Sequence, residues 1–198
     1  MNPDRALADE KAALRVEMIA RRRLLPEKSR NAKSMAITDY VVSMQEVVNA
    51  RHIHLYLSIP VLAEVCTTVI VDRLAAMEKE LSVPVVRNGE LVSALFRKGD
   101  TLLPTQFGAE PRGVSLVDES DLDVVLMPLV AFDKRGYRIG YGKGFYDRFL
   151  QRLLQQNISP CRIGLSFMLQ QVDVVPANSW DEPLDGVVHE EGIIRFNS

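Results

Sequence analysis

The spacing of apolar residues changes from a helical to an alternating period at about residue 52. In the first 50 residues, Leu7, Leu14, Met18 and Leu25 recur on one face of a 3.6-residue repeat, which predicts a helix. Pro26 stands where a second helix can begin. That helix is expected to run to about Asn49, with Tyr40, Val41, Met44, Val47 and Val48 facing inward. In His52-Ile53-His54-Leu55-Tyr56-Leu57-Ser58 the apolar residues alternate with polar or amphipathic ones, the pattern of a strand, and Pro60 ends it. Glu64 is expected to open a helix carrying Val65, Val69 and Leu74, and residues 81–86 read as the next strand. From 87 to 120 the chain offers short strand-like pieces between turns such as Asn88-Gly89, Gly99-Asp100 and Pro111-Arg112-Gly113. Residues 122–127 are apolar on both faces, as central parallel strands are. A glycine-rich loop over 133–144 leads into a helix at about 145–156. Further strands are expected at 162–166 and 186–189, with an added edge at 193–196.

Strands alternating with helices imply an α/β fold: a central, mostly parallel sheet with helices on both faces and an N-terminal helical arm. No internal repeat, low-complexity tract or linker divides the chain, so residues 1–198 are expected to form a single domain. Apolar residues make up 47% and charged residues 25%, which excludes whole-chain disorder, collagen-like repeats and coiled coil. A formal charge of −2 argues against a nucleic-acid partner. The longest apolar run, 124–132, is about half of what a membrane helix requires, so no membrane association is expected. The start of the chain has no apolar signal-peptide core. Asp4, Asp9, Glu10 and Glu17 interrupt the basic pattern that a mitochondrial presequence would need. Cys66 and Cys161 lie far apart without a CxxC partner and read as reduced, buried thiols of a cytoplasmic protein. His52, His54 and His189 show no ligand spacing and are expected on strand surfaces; Tyr40, Tyr56 and Trp180 read as packing residues.

Chemistry concentrates in residues 133–148, where four glycines occur in the nine residues 136–144, after a buried strand and before a helix. Such a loop lets backbone amides approach phosphates, and the helix N-terminus adds positive potential. Arg138 supplies a planar fork of donors and Lys143 a mobile point charge. Asp147 is placed to hold a magnesium ion against those phosphates. Neither standard phosphate motif applies. A Walker A loop would need glycine at position 137, which is Tyr137, and a hydroxyl residue at 144, which is Gly144. Gly140, Gly142 and Gly144 are evenly spaced, whereas a dinucleotide fingerprint reads GxGxxG. On these grounds the segment is a nucleotide- or phosphate-binding loop of unassigned type. On the first helix, Lys11 and Arg15 project side by side, while Arg21 and Arg23 read as a solvated face.

The stretch 123–150, from Asp-Val-Val-Leu-Met-Pro-Leu through Gly-Tyr-Gly-Lys-Gly-Phe-Tyr-Asp-Arg, closely resembles the signature of the 5-formyltetrahydrofolate cyclo-ligase family. The same resemblance extends to Lys11-x-x-x-Arg15, to Tyr56-Leu57-Ser58 followed by Glu64-Val65-x-Thr67, and to residues 181–188 around Asp185. The chain departs from that pattern at Leu129 after Pro128, at Trp180 and at His189. The resemblance implies an ATP- and Mg2+-dependent conversion of 5-formyltetrahydrofolate to 5,10-methenyltetrahydrofolate, with ADP and phosphate released. It further implies ATP contacts at Lys11, Arg15, Arg138, Ile139, Gly140, Tyr141, Gly142, Lys143, Gly144, Phe145 and Tyr146. Folate contacts are implied at Leu57, Glu64, Tyr141, Gly142, Lys143, Gly144 and Phe145, and magnesium contacts at Asp147 and Asp185. Arg138 and Lys143 are the expected catalytic cations. The partners expected are these two small molecules, with the protein acting as a monomer. A non-catalytic nucleotide-binding module, or a phosphotransferase with another acceptor, is the competing reading. Residues 92–119 contribute no expected site residue.

Overall fold

The computed structural model describes residues 3–178 and 180–196. Helix α1 (Pro3–Arg23) precedes α2 (Glu27–Ser43) and α3 (Gln45–Asn49). The second helix expected from the sequence is therefore two, because Met44 between them is extended (φ −63°, ψ 133°). This break resets the helical register. Ile37, Val41, Met44 and Val47 are buried, whereas Tyr40 and Val48, expected to face inward, are exposed.

Strands β1 (His52–Leu55), β2 (Glu80–Arg87), β3 (Glu90–Phe96), β6 (Val124–Pro128), β9 (Cys161–Leu165), β10 (Gly186–His189) and β11 (Gly192–Arg195) form one sheet. Two hairpins stand outside it: β4 (Leu102–Thr105) with β5 (Gly108–Pro111), and β7 (Ala131–Phe132) with β8 (Arg138–Ile139). The sheet order is β11-β10-β9-β6-β1-β2-β3. Its five inner strands are parallel, and β3 and β11 run antiparallel at the edges. Ile53 of β1 sits beside Leu81 on one side and Val124 on the other. The chain crosses from β1 to β2 through α4 (Thr68–Ala76), while β6 adds on the other flank of β1. The carboxyl ends of β1 and β6 thus form a topological switch point, where open α/β sheets place their ligands.

Helices cover both faces, as the α/β reading expects. On one, Ile37 and Val41 of α2 and Ile70 and Leu74 of α4 pack with Ile53, Leu55, Leu126, Ile163 and Val188. On the other, Phe149, Leu150 and Leu153 of α5 (Phe145–Gln155) pack with Val125, Met127 and Val187. Met18 of α1 packs with Val130, Ala131 and Ile139, which fixes the helical arm beside the glycine-rich segment.

The histidines are not on strand surfaces. His52, His54 and His189 are all buried. Beneath α5, His52 Nε2 lies 2.9 Å from the Ser82 hydroxyl, and His54 Nδ1 lies 3.3 Å from Ser82 and 3.1 Å from Ser93. His54 also stacks on Phe149 at 5.2 Å between centroids. Burial, with His52 adding to it, pushes the His54 pKa down to about 3, so the ring stays neutral beside the serine hydroxyls. Ser82 and Ser93 give His52 Nε2 and His54 Nδ1 polar partners in these inward positions, and the Glu191 amide donates to His189 Nδ1 at 3.2 Å. The thiols of Cys66 and Cys161 are free and part-buried. Trp180, read as a packing residue, is 55% exposed.

Candidate active site

At the switch point lies a cleft of about 850 Å³. Tyr56 and Leu57, just past β1, and Pro128 at the end of β6 line it. Every site residue expected from the sequence borders this cleft except Asp185.

The segment read as one glycine-rich loop has two parts. Asp133, fully buried, closes the β7–β8 turn: its Oδ1 accepts from the Arg135 and Tyr137 amides at 2.9 and 3.2 Å. Its Oδ2 accepts from the Val175 amide at 2.9 Å and the Arg135 side chain at 2.6 Å. Only residues 140–144 form the bare loop ahead of α5. There Gly142 has φ +86°, and an added Cβ would come within 3.0 Å of the Arg15 guanidinium carbon. Gly144 (φ +63°) caps α5 in the left-handed conformation. Glycine is thus needed at 142 and at 144 because both hold the left-handed backbone, at 144 for the turn into the helix.

Cations gather at this end. Arg15 Nε donates to the Gly140 carbonyl at 2.8 Å, and Lys11 Nζ pairs with Asp181 at 2.5 Å. Arg138 donates to the Glu182 carbonyl at 2.6 Å and to Asp147 Oδ1 at 2.8 Å. Lys143 is exposed at the mouth. The α5 N-terminus adds its amide dipoles to these charges.

At the other end the sequence expectation needs correcting. Glu64 does not open a helix, since α4 starts at Thr68; it lies in the loop between β1 and α4, just after Ala63 in the left-handed region (φ 53°). That loop is pinned reciprocally, the Ser58 amide donating to Thr67 Oγ1 at 2.9 Å and the Thr67 amide to Ser58 Oγ at 3.2 Å. Glu64 is 7% exposed. Its Oε2 accepts from the Ile59 amide at 2.7 Å and its Oε1 from the Tyr141 hydroxyl at 2.5 Å. Burial raises its pKa, while the Ile59 amide, Tyr141 and Arg22 oppose that rise.

The two carboxylates expected to share a magnesium ion are not brought together. Asp147 borders the cleft. Asp185 is engaged by Arg162, whose side chain donates to both carboxylate oxygens at 2.6 and 3.0 Å and whose amide donates at 2.7 Å. Arg162 is in register with Val125, the second residue of β6, and Asp185 directly precedes β10, so the pair lies toward the amino ends of the strands, away from the carboxyl ends that frame the cleft. Among the described residues no group of three or more His, Cys, Asp or Glu could hold a metal ion. A site using one carboxylate beside phosphates, as magnesium commonly does, fits Asp147.

Two contributors were missed in the sequence. The β4–β5 hairpin, from a stretch that yielded no expected residue, lines the cleft through residues 105–110, and Phe107 at its turn meets Phe145 edge-on at 5.0 Å. Arg22, overlooked between two solvated arginines, is 2% exposed and donates to the Tyr141 hydroxyl at 2.7 Å. Its signal was present: Lys11, Arg15, Met18 and Arg22 are spaced four, three and four residues apart, which is one helix face.

A family model described as the 5-formyltetrahydrofolate cyclo-ligase family matches residues 8–190. A 5-formyltetrahydrofolate cyclo-ligase of Haemophilus influenzae is 32% identical over 177 residues, covering 86% of this chain and 92% of its own. The Mus musculus protein of the same name is 30% identical, covering 91% and 94%. The solution structure of a 5,10-methenyltetrahydrofolate synthetase from Aquifex aeolicus superposes with a TM-score of 0.82 at 31% identity, covering 95% of this chain and 93% of that one. The signature around the glycine loop, the matching fold and the full-length similarity agree, and the chain belongs to the 5-formyltetrahydrofolate cyclo-ligase family.

Proposed function

We propose that this protein converts 5-formyltetrahydrofolate to 5,10-methenyltetrahydrofolate with consumption of ATP. The observation that carries the reading is one cleft with two chemically distinct ends: a cationic glycine loop at a helix N-terminus, and a buried carboxylate held by a phenol. The first suits a triphosphate. The second suits the donor-rich amino-pyrimidine edge of a pterin, with Leu57 and Phe145 offering apolar surface to its flat ring.

The formyl oxygen of an amide is a poor leaving group, so N10 of the folate cannot expel it unaided. In the proposed sequence that oxygen attacks the γ-phosphorus of ATP. The new O–P bond forms as the bond from phosphorus to the β,γ-bridging oxygen breaks, and ADP departs. N10 then adds to the resulting iminium carbon and loses its proton. Cleavage of the C–O bond releases inorganic phosphate and leaves the methenyl bridge. Such a transfer asks the protein chiefly for alignment and charge neutralisation. Arg138 and Lys143 hold the transferring phosphoryl group, Lys11 and Arg15 hold the rest of the triphosphate, and the amides of 140–146 cradle it. Asp147 would hold magnesium against the phosphates, where the ion supplies charge neutralisation. Asp185, expected beside it, would first have to leave Arg162.

The test is direct. Protein, Mg-ATP and 5-formyltetrahydrofolate should generate the near-ultraviolet absorbance of the methenyl product, with ADP and phosphate formed in equal amounts. ATP hydrolysis at a similar rate without folate would overturn the reading.

A further inference from the structure

Three consecutive arginines end α1, and they differ sharply. Arg21 and Arg23 are exposed, and Arg21 pairs with Glu17 at 2.6 Å. Arg22 is buried and does not border the cleft. Its guanidinium donates to the Leu129 carbonyl at 3.1 Å, the Leu62 carbonyl at 2.7 Å and the Tyr141 hydroxyl at 2.7 Å. The Tyr141 hydroxyl in turn donates to Glu64 Oε1 at 2.5 Å. The polarity of this chain is fixed, because a guanidinium only donates, a carboxylate only accepts, and a phenol does one of each. A buried guanidinium is costly, and two carbonyls could be served by a neutral donor. What needs a full positive charge is the carboxylate one phenol away.

We infer that Arg22 is a positioning residue for the folate end of the cleft, acting through Tyr141 to orient Glu64 and keep it ionised without touching the ligand. This rests on the proposed role of Glu64 as acceptor for the pterin edge. Three phenols face Glu64 besides the cation: Tyr56 past β1, Tyr141 in the loop and Tyr146 at the start of α5. Each is held above the usual range, by burial first, so all three stay protonated. Arg22 is the cation that opposes the effect of burial on Glu64. Removing it should raise the Glu64 pKa further, so the ionised acceptor would be lost at a higher pH as the solution is acidified.

The experiment compares Arg22→Met, Arg22→Lys, Tyr141→Phe and Glu64→Gln by binding of 5-formyltetrahydrofolate without ATP, by both KM values, and by the pH profile of kcat/KM for folate. Arg22→Met should weaken folate binding about tenfold or more. It should leave KM for ATP within about twofold and move the acid limb upward by about one pH unit. Arg22→Lys keeps the charge and should return the limb close to its original position, with binding only partly restored. Tyr141→Phe keeps the ring and should reproduce the Arg22→Met shift; it decides the matter should Arg22→Met fail to fold. An unmoved acid limb in Tyr141→Phe, or equal losses for ATP and folate, would overturn the inference. Normal folate binding by Glu64→Gln would instead overturn the underlying role of Glu64.

Discussion

The two ends of the cleft handle charge in opposite ways. At the cationic end, Lys143 is exposed and Lys11 and Asp147 are part-exposed, while Arg138 is buried; the partners of Lys11 and Arg138 are carboxylates and a carbonyl that a ligand can replace. At the folate end, Arg22 and Glu64 are buried and linked through Tyr141 before any ligand arrives. The difference matches the task proposed for each. A phosphoryl group in transfer redistributes its charge, so mobile cations can follow it. A flat heterocycle presents a fixed donor pattern, which a rigid acceptor reads best. Substitutions at the first end should therefore alter rate, and at the second, affinity.

The largest expected effect is at Lys143. Lys143→Ala should lower kcat/KM about a hundredfold or more, near 3 kcal/mol of transition-state stabilisation, with the melting temperature little changed. Near-normal kinetics would reduce Lys143 to a solvated loop cation and erase the contrast. Next comes Glu64→Gln, which turns a donor toward a pterin donor. A loss of about 2 kcal/mol should appear in KM for folate and leave KM for ATP nearly untouched. Equal effects on both substrates would show that the two ends do not act separately.

The paired aspartates sharpen the boundary of the cationic end. Asp147→Asn should raise the magnesium needed for half-maximal rate several-fold. Asp185→Asn should mainly lower stability, by about 1 kcal/mol once solvent screening of the part-exposed Arg162 pair is allowed for. Matching magnesium shifts in the two variants would show that Asp185 leaves Arg162 in the loaded enzyme and joins the ion.

The effect that is smallest at neutral pH concerns His54, which lies beneath Phe149 and beside Tyr146. Its folded pKa, about 3, lies below that of the unfolded chain, so the unfolded state binds the proton first. Stability should be complete above roughly pH 6.5 and fall progressively toward pH 3. His54→Gln should flatten that acid slope in melting experiments; an unchanged slope would assign it to other groups.

Much was legible along the chain because local signals and the fold agreed. The change of period at residue 52, the doubly apolar strand 122–127 and the glycine-to-helix transition at 144–145 each survive as observed elements. The loop residues were legible too, since glycines and cations lie together in one short segment. Other features came from contacts between distant segments. The break at Met44 leaves each flanking stretch helical, so the pattern around it carries little warning. The hairpin 102–111 lines the cleft through packing such as Phe107 on Phe145, not through any local motif.

The alternation of strands and helices, the place of the glycine-rich loop and the family could be read along the chain alone. Those follow from periodicity and from residues that lie within one short window. Which charges are buried and which stay open to solvent depends on the folded neighbours. Arg21, Arg22 and Arg23 are identical in composition and differ only in helical phase, and Asp185 belongs to Arg162 because β9 lies beside β10. Burial and pairing are properties of neighbours in space: a guanidinium in water and one locked to Tyr141 are the same letter until the chain has folded around them.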